Sequence, residues 1–268
     1  MINSHSLDFY HAAIKSVDAN ACDIRQPEIC GKNAKIFFAD VLTETYVYRF
    51  TDEYFIRRNN RISQLLALCD VPAPHTTIHC YMKTLFEKYK YCPAPTLRER
   101  INAGISHNKI FDIYKDTLRI QYQISKIDIS ELSDLSNMYY HNIYSKRTHE
   151  QLPPIVSHLA SATIYALSRS GKMHLFHNDL NPGNILVSND NRVSCLLDLD
   201  GINISNTPFS LIRTIQSYPD LNHGELLDFY EELTQQKLPK AKILAMLKLL
   251  QAASISRHKF EDIFNISR

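Results

Sequence analysis

The stretch FHNDLNPGNIL at residues 176–186, with VSCLLDLDG at 193–201, constrains this chain more than any other part of it. It reads His177-x-Asp179-Leu180-x-Pro182-x-Asn184, an apolar triplet at 185–187, a polar tip at 188–192 and an apolar run ending in Asp198. The tip SNDNR is rich in turn formers, so the two apolar runs are expected to pair as a hairpin. Such a hairpin gathers three polar residues: Asp179 in the loop before it, Asn184 at the start of 185–187, and Asp198 at the end of 195–197. Taken singly, Asn, Asp, Pro and Gly make turns, and a turn entering a strand is the plain reading of each. As one ordered constellation they match what ATP-dependent phosphoryl transfer needs. That chemistry wants a carboxylate beside the acceptor hydroxyl and hard oxygen ligands for Mg²⁺.

The same stretch resembles the catalytic loop of the aminoglycoside phosphotransferase and choline kinase family, which shares the protein-kinase-like fold. The resemblance is closest over 174–201 and runs more loosely, but in order, over 34–74. It implies an α+β, two-lobed fold with a small antiparallel β-sheet in the N-terminal lobe and a mainly helical C-terminal lobe. It implies that Asp179 is the catalytic base or hydroxyl-orienting residue, that His177 braces the loop, and that Asn184 and Asp198 hold Mg²⁺. A buried structural histidine is almost the same reading of His177. Asp200 is either a second acid near the metal or a cap for the chain leaving the strand.

Periodicity divides the chain. Residues 6–17 carry Leu7, Tyr10, Ile14 and Val17 at helical spacing. AKIFFADV (34–41), TYVYRF (45–50) and EYFIRR (53–58) are rich in aromatic and β-branched residues and read as strands, the last two joined by a tight hairpin at Thr51-Asp52. RISQLLALC (61–69) reads as a helix that stops before Pro72 and Pro74, and TTIHCYM (76–82) as a further strand. From 84 to 173 the texture is helical, with 155–171 the strongest helix, and 208–268 is mostly helical. These features give a β-rich front and a helical back, and the resemblance implies a nucleotide-binding lobe at 1–83 and a helical lobe at 84–268 with the catalytic loop and acceptor site.

Within the front lobe, VLTETYVYRF (41–50) resembles the phosphate-covering hairpin of choline-kinase-like members, with Thr43 and Thr45 as the hydroxyl donors. Val41 and Glu44 stand where that family has glycine and asparagine, and an ordinary β-hairpin with threonine in its turn is the alternative. The family also places a cation on the third strand against the nucleotide phosphates. EYFIRR offers Arg57 and Arg58, with Arg49 on the strand before, and register selects Arg57. Arginine rather than lysine at this point favours the choline-kinase-like branch. The usual glutamate partner on the following helix is missing, with Gln64 the nearest substitute.

Composition narrows the partners. A formal charge of +2 gives no reason to expect nucleic acid. No apolar run approaches a membrane span, and the first residues hold no secretory hydrophobic region. Six cysteines without a CxxC pair read as reduced, mostly packed thiols, which suggests the cytoplasm of whichever cell hosts the protein, an injected effector included. Residues 217–233 hold five acids and no Lys or Arg, a patch suited to a cationic acceptor, or simply a solvated helix face. Tyr218, Phe229 and Tyr230 there would suit a quaternary ammonium. Against small cations, 83–127 hold nine Lys/Arg and four Asp/Glu, which hints at an anionic partner. Three functions remain. The first is phosphotransfer from ATP to a hydroxyl of a small molecule, an amino-alcohol, aminoglycoside or sugar-like acceptor. The second is a compact protein or effector kinase with a protein substrate. It is opposed by the absence of Asp-Phe-Gly and Ala-Pro-Glu, and by Asn181 standing where Ser/Thr kinases carry lysine. The third is a nucleotide-binding protein with impaired catalysis.

Overall fold

The structure is a computed structural model that describes residues 5–27, 34–132, 172–218, 220–248 and 251. The expected helix 155–171 lies outside the described residues. The front lobe is a five-stranded antiparallel sheet in the order β1-β2-β3-β5-β4. Its strands are β1 (Ala21–Arg25), β2 (Lys35–Val41), β3 (Glu44–Phe50), β4 (Thr77–Tyr81) and β5 (Thr84–Lys90). Helix α1 (Leu7–Val17) starts at Ser6, whose hydroxyl accepts the Phe9 N–H. It lays Tyr10, Ala13 and Ile14 on one face of the sheet, against Phe37, Phe50 and Phe86. The rings meet at 4.8 Å for Tyr10–Phe50 and again for Phe50–Phe86, so aromatic packing supplies most of this small core.

Two local expectations fail here. EYFIRR is not a strand, and Thr51-Asp52 is not a hairpin turn: one helix, α2, runs Glu53–Leu68. Asp52 stands at its N-cap with extended backbone. The buried set Ile56, Ile62, Leu65 and Leu66 keeps helical spacing across the whole segment. A core-facing stripe of sixteen residues outweighs the β-propensity of the first six. TLFEKYK (84–90) is likewise not helical. It is β5, the central partner of both β3 and β4, joined to β4 by Met82 and Lys83, both at positive φ (45° and 66°). Leu85, Phe86 and Tyr89 mimic helical spacing over a window too short to separate the periods. The lobe boundary drawn at 83/84 therefore cuts a hairpin turn.

The back lobe begins with α3 (Leu97–Asn102), held by a capping box between Thr96 and Glu99, and α4 (His107–Ile124). After β6 (Met173–His177) come β7 (Ile185–Val187), β8 (Val193–Leu196) and β9 (Ile202–Asn206), then α5 (Thr207–Ile215) and α6 (His223–Thr234). Residues 240–248 are helical. β7 and β8 pair antiparallel, with Ile185 opposite Leu196, and β6 pairs with β9. Backbone bonds tie the hairpin to the connecting segments: Leu196 N–H donates to the Pro72 carbonyl at 2.7 Å and Val187 N–H to that of Pro95 at 2.8 Å. The large core of this lobe gathers α4, α5, α6 and the hairpin around Ile113, Leu118, Leu180, Ile185 and Leu227. Among the described residues no helix is long and apolar enough to cross a membrane. The five described cysteines are free. Only Cys195 is buried, and Cys22 and Cys80 are exposed, so packing of the thiols is less complete than expected.

Candidate active site

β6 delivers the loop, and His177 is its fixed point. The imidazole is fully buried. Its Nε2 donates to the Leu197 carbonyl at 2.8 Å, and Nδ1 accepts the Asp179 N–H at 3.3 Å. One nitrogen donates and the other accepts, so the ring is neutral, and burial pushes its pKa down to about 4. The Gln121 side chain on α4 takes both backbone groups of His177, at 3.0 and 2.7 Å. Gly201 lies so close that a Cβ there would stand 2.7 Å from the imidazole and 3.0 Å from the Asp179 Cβ. Here the close approach itself demands glycine.

Asp179 follows with its side chain 43% exposed. The Asn184 amide donates to the Asp179 carbonyl at 2.8 Å, and the Asn184 carbonyl accepts the Leu197 N–H at 2.8 Å. The turn between them closes on itself, because the Asn181 side chain accepts the Gly183 N–H at 2.9 Å. Asp198, directly after Leu197, has φ 60° and ψ 68°. Burial, and next the charge of Asp200, push its carboxyl pKa up to about 6, and the Asp179 charge acts in the same direction. The structure therefore brings Asp179, Asn184 and Asp198 together. Arg213 of α5 stands at 3.8 Å from the Asp179 carboxylate and donates Nε–H to the Asn178 carbonyl at 3.2 Å.

Asn184 and Asp198 form one wall of a cleft of about 440 Å³ between the lobes. Ala34, Ile36, Arg49, Glu87 and Tyr89 of the front sheet and Asn59 of α2 form the other. Arg49 is the cation of this cleft. Its Nη1 bonds Glu87 Oε2 at 2.9 Å and its Nη2 bonds Asp200 Oδ2 at 2.5 Å, while Asn59 donates to Asp200 Oδ1 at 2.7 Å. Burial alone would lower the Arg49 pKa, but the Asp200 and Glu87 carboxylates outweigh it and raise it.

The structure places the three expected nucleotide contacts, Arg57, Thr43 and Thr45, away from the residues that line this cleft. Arg57 lies on the exposed face of α2 and pairs with Glu53 at 2.7 Å, one helical turn away, because 53–58 is helical. Arg58 is buried and bonds the carbonyls of Leu199 and Ile202, stitching α2 to the segment after Asp198. Thr43 sits exposed in the β2–β3 turn. The Thr45 hydroxyl is committed to Asp40 at 2.7 Å. Neither threonine lines the cleft; Thr45 is four residues from Arg49 along β3, about 13 Å at ~3.3 Å per residue. Arg49 was legible once 53–58 left the sheet, since it is then the only cation of β3. Glu87, Gln121 and Gly201 carried no local signal, because each acts through a contact distant in sequence.

Two of the five acids in the acidic segment are paired, while Asp220, Glu225 and Glu232 are exposed. Asp228 and Glu231 both pair with Lys240, at 2.5 and 2.8 Å. Phe229 is covered by Arg119 and Lys115, at 5.0 and 5.5 Å, and Tyr230 is buried.

The phosphotransferase enzyme family model matches residues 56–244, well over half of the chain. No curated protein sequence matches it. Among solved structures it is similar to the macrolide 2'-phosphotransferase MphH of Brachybacterium faecium (TM-score 0.64, 16% identity, 93% of this chain and 90% of that one). It is also similar to an APH(2") enzyme in complex with GDP and kanamycin (TM-score 0.69, 13% identity, 90% and 87%). A third is the streptomycin–ATP–APH(2")-IIa ternary complex (TM-score 0.60, 15% identity, 91% and 86%). At such identities these structures share the fold, whereas the family match extends over the catalytic loop, the Asn184–Asp198 wall of the cleft and, of the opposite wall, Asn59, Glu87 and Tyr89. The chain belongs to the phosphotransferase enzyme family and is a kinase-like phosphotransferase.

Proposed function

We propose that this protein transfers the γ-phosphate of ATP to a hydroxyl of a small molecule, with Asp179 as the base. One observation carries the reading: the half-exposed carboxylate of Asp179 belongs to a residue whose carbonyl is bonded by Asn184, and Asn184 lines the cleft with Asp198 and Arg49. The acceptor hydroxyl lies against Asp179, which orients it and takes its proton late as the new O–P bond forms and the bond to the ADP oxygen breaks. His177, neutral and bonded on both ring nitrogens, holds Asp179 in place without exchanging protons itself. Arg49 pairs with the non-transferred phosphates. The oxygens of Asp198 and Asn184 fit a hard divalent cation, and Mg²⁺ held there would neutralise phosphate charge as it does in kinases generally.

The ATP complex of one structural relative and the GDP complex of another make both nucleotides worth testing. Of the two grounds for impaired catalysis, the missing glutamate is offset by Glu87 beside Arg49, while valine still stands at 41 in place of glycine. The test is transfer of labelled γ-phosphate from ATP or GTP to pooled sugars, amino-alcohols, aminoglycosides, macrolides and proteins, in parallel with Asp179→Asn. Asparagine keeps the hydrogen bond but cannot accept the proton. Turnover should fall by about 10²–10⁴-fold while nucleotide affinity barely moves. Equal turnover by the variant would make the loop a turn and nothing more.

A further inference from the structure

In kinase-like enzymes the cation that pairs with the phosphates is held by a glutamate on the helix after its strand, so that the position of that helix controls the site. Here α2 has Asn59 on the cleft wall, bonded to Asp200 rather than to the cation. The carboxylate against Arg49 comes from the sheet. Glu87 on β5 is the direct cross-strand partner of Arg49 on β3. β5 is hydrogen-bonded on both sides, to β3 and β4, so register alone fixes the pair. We propose that Glu87 is the positioning residue for Arg49, orienting its guanidinium toward the nucleotide phosphates from within the sheet. The inference rests on the reading of Arg49 as the phosphate-binding cation.

A purely structural role suits Glu87 poorly. Its side chain is 2% exposed, and Oε1 makes no hydrogen bond of good geometry, although the Asn59 side chain lies near enough to Glu87 to lower its pKa. A buried carboxylate with one oxygen poorly bonded costs stability, and an apolar or amide side chain would fill the place more cheaply. Burial pushes its pKa up to about 7, with the charge of Arg49 opposing. What Glu87 contributes is the bond to Arg49. It leaves the guanidinium one further edge, which now meets Asp200 across the cleft and which a phosphate can claim.

The test uses ADP and adenosine as paired probes, titrated into the full chain in magnesium buffer, because adenosine carries no phosphate for Arg49 to hold. Glu87→Gln should weaken ADP roughly tenfold, leave adenosine unchanged and leave the melting temperature unchanged or higher. Arg49→Met should weaken ADP to a similar or greater extent, and the double variant should lose little more than Arg49→Met alone. Adding Asn59→Glu to Glu87→Gln, which moves the carboxylate to the helix, should restore part of the ADP affinity. If Arg49→Met weakens ADP and Glu87→Gln does not, the inference is overturned while the reading of Arg49 stands. If neither variant changes ADP affinity, the reading of Arg49 falls and takes the inference with it. Equal losses of ADP and adenosine would also overturn it, as general damage to the cleft.

Discussion

The two walls of the cleft are held in different ways. The back wall is held mainly by bonds short in sequence: Asp179 through the His177 ring, Asn184 through Asp179 and Leu197, and Asp198 at the end of a strand whose partner is six to eleven residues away in the chain, with Gln121 the distant contact that fixes His177. The front wall is held by charge between separate elements. Arg49 on β3, Asn59 on α2, Glu87 on β5 and Asp200 beyond the hairpin meet only because the fold is complete. A wall fixed mainly by its own local bonds keeps its geometry when one side chain is changed, so damage there appears in the chemistry. A wall fixed by a charge network redistributes when one member is lost, so damage there appears as graded affinity.

Variants on the two walls sharpen this contrast. Asp198→Ala should have the largest effect, abolishing magnesium-dependent turnover while the circular dichroism spectrum and melting temperature stay close to those of the parent. Undiminished turnover would remove Asp198 from the site and break the comparison at its strongest point.

The next effect is on stability. The His177 pKa is about 4 in the fold against 6.5 unfolded, so the unfolded chain binds the extra proton first as pH falls. Its contribution is complete above pH 6.5 and is lost on acidification toward pH 4, about 3 kcal/mol in all. Urea unfolding at steps from pH 7.5 to 4.5 should show this loss, and His177→Gln, which keeps a donor for Leu197, should show a flatter profile. Parallel profiles would mean that the loop does not depend on a neutral imidazole.

On the front wall, Arg49→Met should weaken ATP by roughly tenfold, and more steeply at low salt than at high. The smallest effects belong to Arg57→Ala, Thr43→Ala and Thr45→Ala, each expected within about twofold in nucleotide affinity, since surface pairs are worth ~0–1 kcal/mol. A larger loss from Arg57→Ala than from Arg49→Met would reverse the placement of the cation.

The same contrast explains what was legible. The catalytic loop and its hairpin could be read from the chain because their geometry is local: turn formers at 188–192, apolar runs on either side, and polar residues at fixed offsets. The sheet of the front lobe was only partly legible. KIFFADV and ETYVYRF alternate clearly enough, but EYFIRR has β-like composition inside a helix and TLFEKYK has helix-like spacing inside a strand. Both are short segments whose state is settled by what they pack against.

By itself, the sequence determined that His177, Asp179, Asn184 and Asp198 come together, because bond lengths and turn preferences over ten to twenty residues leave few other arrangements for them. Only the tertiary structure decided which cation faces them. Arg49, Arg57 and Arg58 are equivalent in composition. One lies in the cleft, one in solvent and one buried against the backbone, and the difference is made by the burial of Ile56, Ile62 and Leu66, which turned 53–68 into a helix. That burial depends on a core assembled from both lobes, and free energy summed over distant contacts overrides the preferences of any six consecutive residues.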